Sequence, residues 1–288
     1  MRVFIFGLGY SSLAYLRAYG TRFAQVSGTV RGAEKAARLQ ADGIDAIIFD
    51  SASVAENLQT ADFLLVSIPP RENDPTLERY GAAIAASPVS TIVYLSTIGV
   101  YGNQDGGWVD ETTPVEPYSE RSRHRASVEQ QWLEFGARAG KRALILRLAG
   151  IYGPGQNALE NLKAGTAKRI IKAGQVFNRI HVADIAAAID AGFRFAGASG
   201  IFNVTDNEPA PPQDVVTFAA HLLNMVPPPE VAFEQAEMSE MARSFYSKNQ
   251  RVRNVRLRTE LGVELNYPTY REGILALHRS GGSDFETV

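Results

Sequence analysis

Short, almost continuous apolar runs alternate with amphipathic stretches through the first half of the chain. The runs near residues 3–6, 24–30, 44–49, 62–67, 90–96 and 142–148 have the length of strands. The stretches near 10–20, 32–42, 75–87 and 118–139 carry a helical period, and a shorter one follows Ser53. Strands apolar at every position are buried on both faces, which predicts a parallel, doubly wound α/β sheet with helices on each side. After about residue 150 the pattern loosens. Helices are predicted near 182–197, 212–225 and 270–279, short strands near 176–181, 201–205 and 231–234, and Pro227-Pro228-Pro229 makes a stiff loop.

The first strand breaks into Gly7-Leu8-Gly9-Tyr10-Ser11-Ser12 and then into helix. Gly7 permits a sharp turn, and Gly9 lets backbone approach a pyrophosphate at the positive end of the helix. Ser12 occupies the place of a third glycine, small enough for the helix to pack closely on the strand. This suits the turn of a Rossmann-type dinucleotide site, the alternative being a strand-to-helix turn that merely happens to be glycine-rich; on the first reading all six residues are expected to line it. Residues 1–155 are read as the dinucleotide-binding domain, completed by the elements near 176–205. Residues 156–280 form a smaller substrate-binding region over the carboxyl ends of the strands, and 281–288 a flexible tail.

Composition narrows the partners. The 288 residues are 45% hydrophobic, enough for a substantial core, and 29 basic against 31 acidic side chains give a net charge of −2. Neither nucleic acid nor a membrane surface is implied, and a small molecule is the expected partner of a monomer or homodimer. The absence of cysteine excludes disulfides, thiolate metal sites and a cysteine nucleophile, and fits a cytoplasmic location. The apolar start, interrupted by glycines and without a cleavage site, reads as a strand rather than a signal peptide. No apolar run has the length of a membrane span.

Three further segments complete a pattern: Ser96-Thr97-Ile98-Gly99-Val100-Tyr101-Gly102, Arg147-Leu148-Ala149-Gly150-Ile151-Tyr152-Gly153-Pro154-Gly155 and Arg179-Ile180-His181-Val182-Ala183-Asp184-Ile185-Ala186. With the glycine turn and Phe202-Asn203-Val204-Thr205-Asp206, the chain resembles the extended short-chain dehydrogenase/reductase family, which includes NAD-dependent sugar-nucleotide epimerases and dehydratases. The resemblance runs from residue 1 to about residue 275 and implies a bound nicotinamide dinucleotide. Thr97 matches the family's catalytic Ser/Thr. Pro117 and Glu129 then set the register of the family's Tyr-x-x-x-Lys pair, which falls on Arg121 and Arg125. The resemblance is therefore to an atypical subgroup lacking the standard tyrosine. A guanidinium stays protonated and cannot act as a base, but Arg125 can donate to ribose hydroxyls as the lysine does. Arg121, one helical turn earlier, faces the same way, and both suit an anionic ligand group. The alternative is a pair of solvated charges on an amphipathic helix, the reading adopted for Arg123. Tyr101, Tyr118 and His124 are the remaining candidate proton donors, with Tyr118 either on the Arg121 face or packed at the helix start.

The second strand ends in Gly28-Thr29-Val30-Arg31, where an NAD site prefers a carboxylate and an NADP site a cation. Arg31, with Lys35 as a second charge, favours NADP, with NAD as the alternative. Asp50 matches the family position that accepts from the adenine amino group, or else is a helix cap or turn residue. Ser67, Ile68 and Pro69, past the fourth strand, border the cofactor channel or merely end the strand. His181 and Asp184 lack further ligands for a metal, and Asp184 suits the first turn of a helix. No Gly-x-Ser-x-Gly elbow supports a hydrolase. Two functions follow. One is an NADP-dependent oxidoreductase, epimerase or dehydratase for a small anionic or sugar-nucleotide-like substrate, with Thr97 polarising a carbonyl or hydroxyl and water or Tyr118 carrying the proton. The other is a non-catalytic redox sensor that needs no proton donor.

Overall fold

The computed structural model describes residues 1–281; of the expected tail, 282–288 lie outside the described residues. Seven strands form one sheet: β1 (Arg2–Phe6), β2 (Gln25–Val30), β3 (Asp45–Ile48), β4 (Phe63–Val66), β5 (Thr91–Thr97), β6 (Arg142–Leu148) and β7 (Gly200–Val204). All neighbours are parallel, in the order β7-β6-β5-β4-β1-β2-β3. The order reverses between β1 and β4, where doubly wound sheets open a crevice for ligands.

The unbroken apolar runs are explained by the two faces. Val3 and Ile5 enter one buried cluster, Phe4 and Phe6 the other; Leu65 separates in the same way from Leu64 and Val66. The first face is covered by α1 (Tyr10–Tyr19), α2 (Ala33–Ala41) and the helix Val182–Arg194. The second is covered by α3 (Ser53–Leu58), α4 (Pro75–Ala86) and α5 (Glu120–Ala139), with Trp132 fully buried. The predicted strands and long helices of the first half are all present within a few residues.

Beyond β6 a third cluster unites Tyr152, Leu159, Val215, Tyr270, Ile274 and Leu277, drawn from residues 125 positions apart at the extremes. A fourth joins Ile170, Ala236 and Tyr246 with Phe177 and Phe233 packed against it. Short parallel pairs tie these parts together: Gly150–Tyr152 with Arg179–His181, Arg169–Ile171 with Glu230–Ala232, and Trp108–Val109 with Arg251–Val252. Pieces of two or three residues have no readable period, which is why most of them escape a sequence reading. No helix among the described residues is long and apolar enough to cross a membrane.

Candidate active site

Gly7 adopts φ +96°, a conformation that disfavours any side chain, and a Cβ there would stand 2.9 Å from Ile68 Cγ1. Its amide donates to Thr29 Oγ1 (3.0 Å), and the Ser12 hydroxyl donates back to its carbonyl (2.8 Å). Ser12 thus closes the turn with a bond that a third glycine could not make. Gly9 is the N-cap of α1 and carries no capping side chain; a Cβ on it would meet nothing within 4 Å. The first amides of a helix have no intrahelical partner, so this open, uncapped end suits a phosphate. Two expected lining residues are committed elsewhere. Leu8 lies in the core with its amide on the Thr29 carbonyl (2.9 Å), and the Tyr10 hydroxyl donates to the Pro154 carbonyl (2.9 Å). Tyr10 therefore ties the turn to the loop after β6. Ser11 is buried at the start of α1.

Arg31 is exposed at the end of β2. Lys35 is pulled below the ordinary lysine range by partial burial and by the charges of Arg38 and Arg31, so three cations share this corner. Asp50 is exposed and faces Arg79 (3.4 Å); the N-cap of α3 is Ala52, so Asp50 is not the cap. Ser67 continues the ladder through its amide to the Phe6 carbonyl (2.9 Å), while Ile68 packs against Gly7 and Pro69 is exposed.

At the other end of the crevice, Ser119 and Ser122 cap each other's backbone amides, so α5 starts at Glu120. That start places Arg121 and Arg125 on one cleft wall with Thr97, whose Oγ1 accepts from the Gly99 amide (3.1 Å). The cavity is about 590 Å³ and is also lined by Tyr152, Asn178, Arg179, Lys248 and Gln250, with Phe177, Phe245 and Met241 on its apolar side. Among the described residues no carboxylate lines it.

Arg121 is exposed toward this space, whereas Arg125 is almost fully buried. Arg125 Nη1 donates to the Leu95 carbonyl (2.8 Å) and the Tyr94 hydroxyl (3.2 Å), so only part of its guanidinium is left for the cleft. The two arginines are therefore not equivalent, although spacing alone makes them so. Tyr118 is corrected outright: it precedes the helix cap, is 68% exposed and does not line the cleft. The i,i+3 face it was expected to share exists only inside a helix. His124 faces Glu120 (4.0 Å), also outside the cleft. Tyr101 is fully buried, with its hydroxyl on Asn203 Oδ1 (2.9 Å). Tyr152 and Tyr246 do line the cleft, but burial pushes both phenols up, opposite to what proton transfer near neutrality needs.

Behind Thr97, Glu129 pairs with Arg147 through Nη2 (2.7 Å) and Nε (3.1 Å), with both side chains buried; Ser96 also donates to Glu129, and Arg147 lies over the Tyr101 ring (4.8 Å). This pair joins α5 to β6 and fixes where Arg121 and Arg125 emerge. His181 caps the helix Val182–Arg194 through Nδ1, and burial drives its pKa down to about 4. Asp184 sits in the first turn as expected, yet it is fully buried and accepts from the amides of Asn266 (2.6 Å) and Tyr267 (3.1 Å). Its work is to hold the segment before the last helix.

The residue that spacing could not reveal is Lys248. It follows the helix Glu240–Phe245, far from every motif, and its only sequence signal is a lysine among aromatic and polar residues.

Residues 79–205 match the NAD dependent epimerase/dehydratase family. A functionally unknown conserved protein from Silicibacter pomeroyi shares 41% identity and a TM-score of 0.89, covering 98% of this chain and 99% of its own. A UDP-glucuronic acid 4-epimerase from Bacillus cereus in complex with NAD has the same fold at 16% identity and TM-score 0.79, over 97% and 96%. A human epimerase family protein with NADPH does so at 17% and 0.74, over 97% and 99%. The 3-diazoavenalumate denitrifying reductase of a Streptomyces species is 30% identical over 145 residues, 46% of this chain; the match spans less than half (45%) of that protein. Residues 79–205 thus carry the pattern of the NAD dependent epimerase/dehydratase family, and the described chain shares the fold of these epimerases.

Proposed function

We propose that the protein is an NADP-dependent oxidoreductase of the epimerase/dehydratase type that acts on a small anionic substrate without the standard catalytic tyrosine. The observation that carries this reading is the cleft beside Thr97, which collects Arg121, Arg125 and Lys248 with no carboxylate among the described residues lining it; Arg179, also on its wall, is committed to the Phe177 and Ala210 carbonyls with the Asp206 charge nearby. Like charges gathered in a partly buried space repel unless an anion joins them. The apolar wall of Phe177, Phe245 and Met241 adds room for a carbon skeleton beside the charged group.

The cofactor reading rests on the turn. The uncapped start of α1 and the open space at Gly9 fit a pyrophosphate, and Arg31 with Lys35 fits a 2′-phosphate. A bound reduced nicotinamide would supply hydride. Arg125, held by Leu95 and Tyr94, would orient ribose hydroxyls, Thr97 would polarise the substrate oxygen and Arg121 would bind the anionic group. Calorimetric titration decides the matter. Binding of NADPH in preference to NADH, together with salt-sensitive binding of sulfate lost in Arg121→Ala, supports the reading. A cleft that binds no sulfate removes the substrate site and leaves a redox sensor as the better description.

A further inference from the structure

The cleft contains the hydroxyls of Thr97, Ser119, Ser122 and Ser244 and three arginines, none of which exchanges a proton near neutrality, and its tyrosines are driven the wrong way by burial. Lys248 adds an amine, a group that both gives and takes a proton. A Cβ on Gly99 would lie 3.3 Å from Thr97 Oγ1 and 3.4 Å from Lys248 Nζ, so hydroxyl and amine flank the same glycine. No ion pair between Lys248 and a carboxylate occurs among the described residues.

The backbone around it is pinned from both sides of the cleft. Gln175 Nε2 donates to the Lys248 carbonyl (2.6 Å) and Asn178 Nδ2 to the Gln250 carbonyl (2.9 Å). From the loop after Thr97, Asn103 Oδ1 accepts from the Asn249 amide (3.0 Å), while the amides of Gln104 (3.0 Å) and Gly106 (2.8 Å) donate to the Asn249 carbonyl. A group fixed in this way by its surroundings is placed as an active-site residue must be.

We propose that Lys248 is the acid–base residue of the cleft, exchanging a proton with the substrate oxygen held at Thr97. The proposal rests on the oxidoreductase reading above. In the reductive direction the substrate's carbonyl carbon accepts hydride from the reduced nicotinamide, the π pair moves onto oxygen, and the Lys248 ammonium gives that oxygen its proton. The neutral amine is then reprotonated from water. Burial and the charge of Arg121 hold Lys248 below the ordinary lysine range, toward the region where such exchange is fast.

The test uses the full chain. Competitive acetylation with acetic anhydride across pH, read by mass spectrometry of the Lys248 and Lys163 peptides, gives the titration of each amine. Lys248 is expected to titrate below the exposed Lys163 and to move upward in Arg121→Gln, since burial and the Arg121 charge both disfavour its ammonium form. A Lys248 that titrates with Lys163, or ignores Arg121→Gln, overturns the proposal. With 4-carboxybenzaldehyde as the anionic carbonyl probe, Lys248→Met should lower kcat about 10²-fold or more. Lys248→Arg should restore sulfate binding and not kcat, because arginine keeps the charge and cannot release the proton. Wild-type kcat in Lys248→Met, or rescue of kcat by Lys248→Arg, also overturns it. Loss of sulfate and NADPH binding by the wild type would instead sink the underlying reading, so the two failures are distinct.

Discussion

The two ends of the crevice are built in opposite ways. At the proposed cofactor end a single stretch, Gly7 to Ser12, makes its own turn, bonds Ser12 to Gly7 five residues away and opens the helix at Gly9. At the proposed substrate end Thr97, Arg121, Arg179 and Lys248 arrive from four separate segments and meet only because β5, α5 and the two loops around Asn103 and Asn178 hold them together. The first arrangement survives changes elsewhere in the chain. The second depends on buried polar connections, so its geometry is exposed to substitutions well outside the cleft.

The sharpest way to break that comparison is Glu129→Ala. It leaves Arg147 buried without its carboxylate, and the expected loss of stability is about 3–5 kcal/mol, read from the denaturant midpoint. Sulfate binding should suffer together with stability, because α5 carries Arg121. A variant that keeps both would show that the cleft does not depend on this pair.

His181 tests the assembled end by pH. It lies between the rings of Tyr152 and Tyr267, and its folded pKa of about 4 is below the ordinary 6.5. Between those values the unfolded chain binds the extra proton, so stability falls as pH drops from about 6.5 to about 4. The loss is on the order of 3 kcal/mol from this group. The difference between wild type and His181→Gln, measured by denaturation across this window, should show that slope and none above pH 7.

Gly7→Ala probes the local end. The φ of +96° and the 2.9 Å approach to Ile68 should cost about 1–3 kcal/mol and abolish NADPH binding, with sulfate binding in the cleft retained. Loss of both would mean that the two ends are one unit. Arg31→Ala should be milder still, removing an NADPH preference of about tenfold, or roughly 1.4 kcal/mol, in fluorescence titration. Arg121→Ala should have the smallest effect on the folded protein, since its side chain is exposed, while weakening sulfate binding and leaving NADPH affinity unchanged.

What the sequence by itself determined follows from local rules. Runs such as Val3 to Phe6 and Ala143 to Leu146 are apolar on both alternating faces, and that is enough for a parallel sheet with helices on each side. Glycines at Gly7 and Gly9 between a strand and a helix are enough for a dinucleotide turn. The register from Pro117 to Glu129, read through the family resemblance, also put Arg121 and Arg125 on one wall of the cleft. The tertiary structure decided what these residues do with their polar atoms. Tyr10 is spent on Pro154, Arg125 is half spent on Leu95 and Tyr94, and Tyr118 falls outside the helix cap. It also brought Lys248 to Thr97 across 151 positions of chain, by side-chain bonds from Gln175, Asn178 and Asn103. Periodicity reports which face a side chain takes on its own element, and a contact between distant segments is fixed by packing and hydrogen bonding that no local pattern encodes.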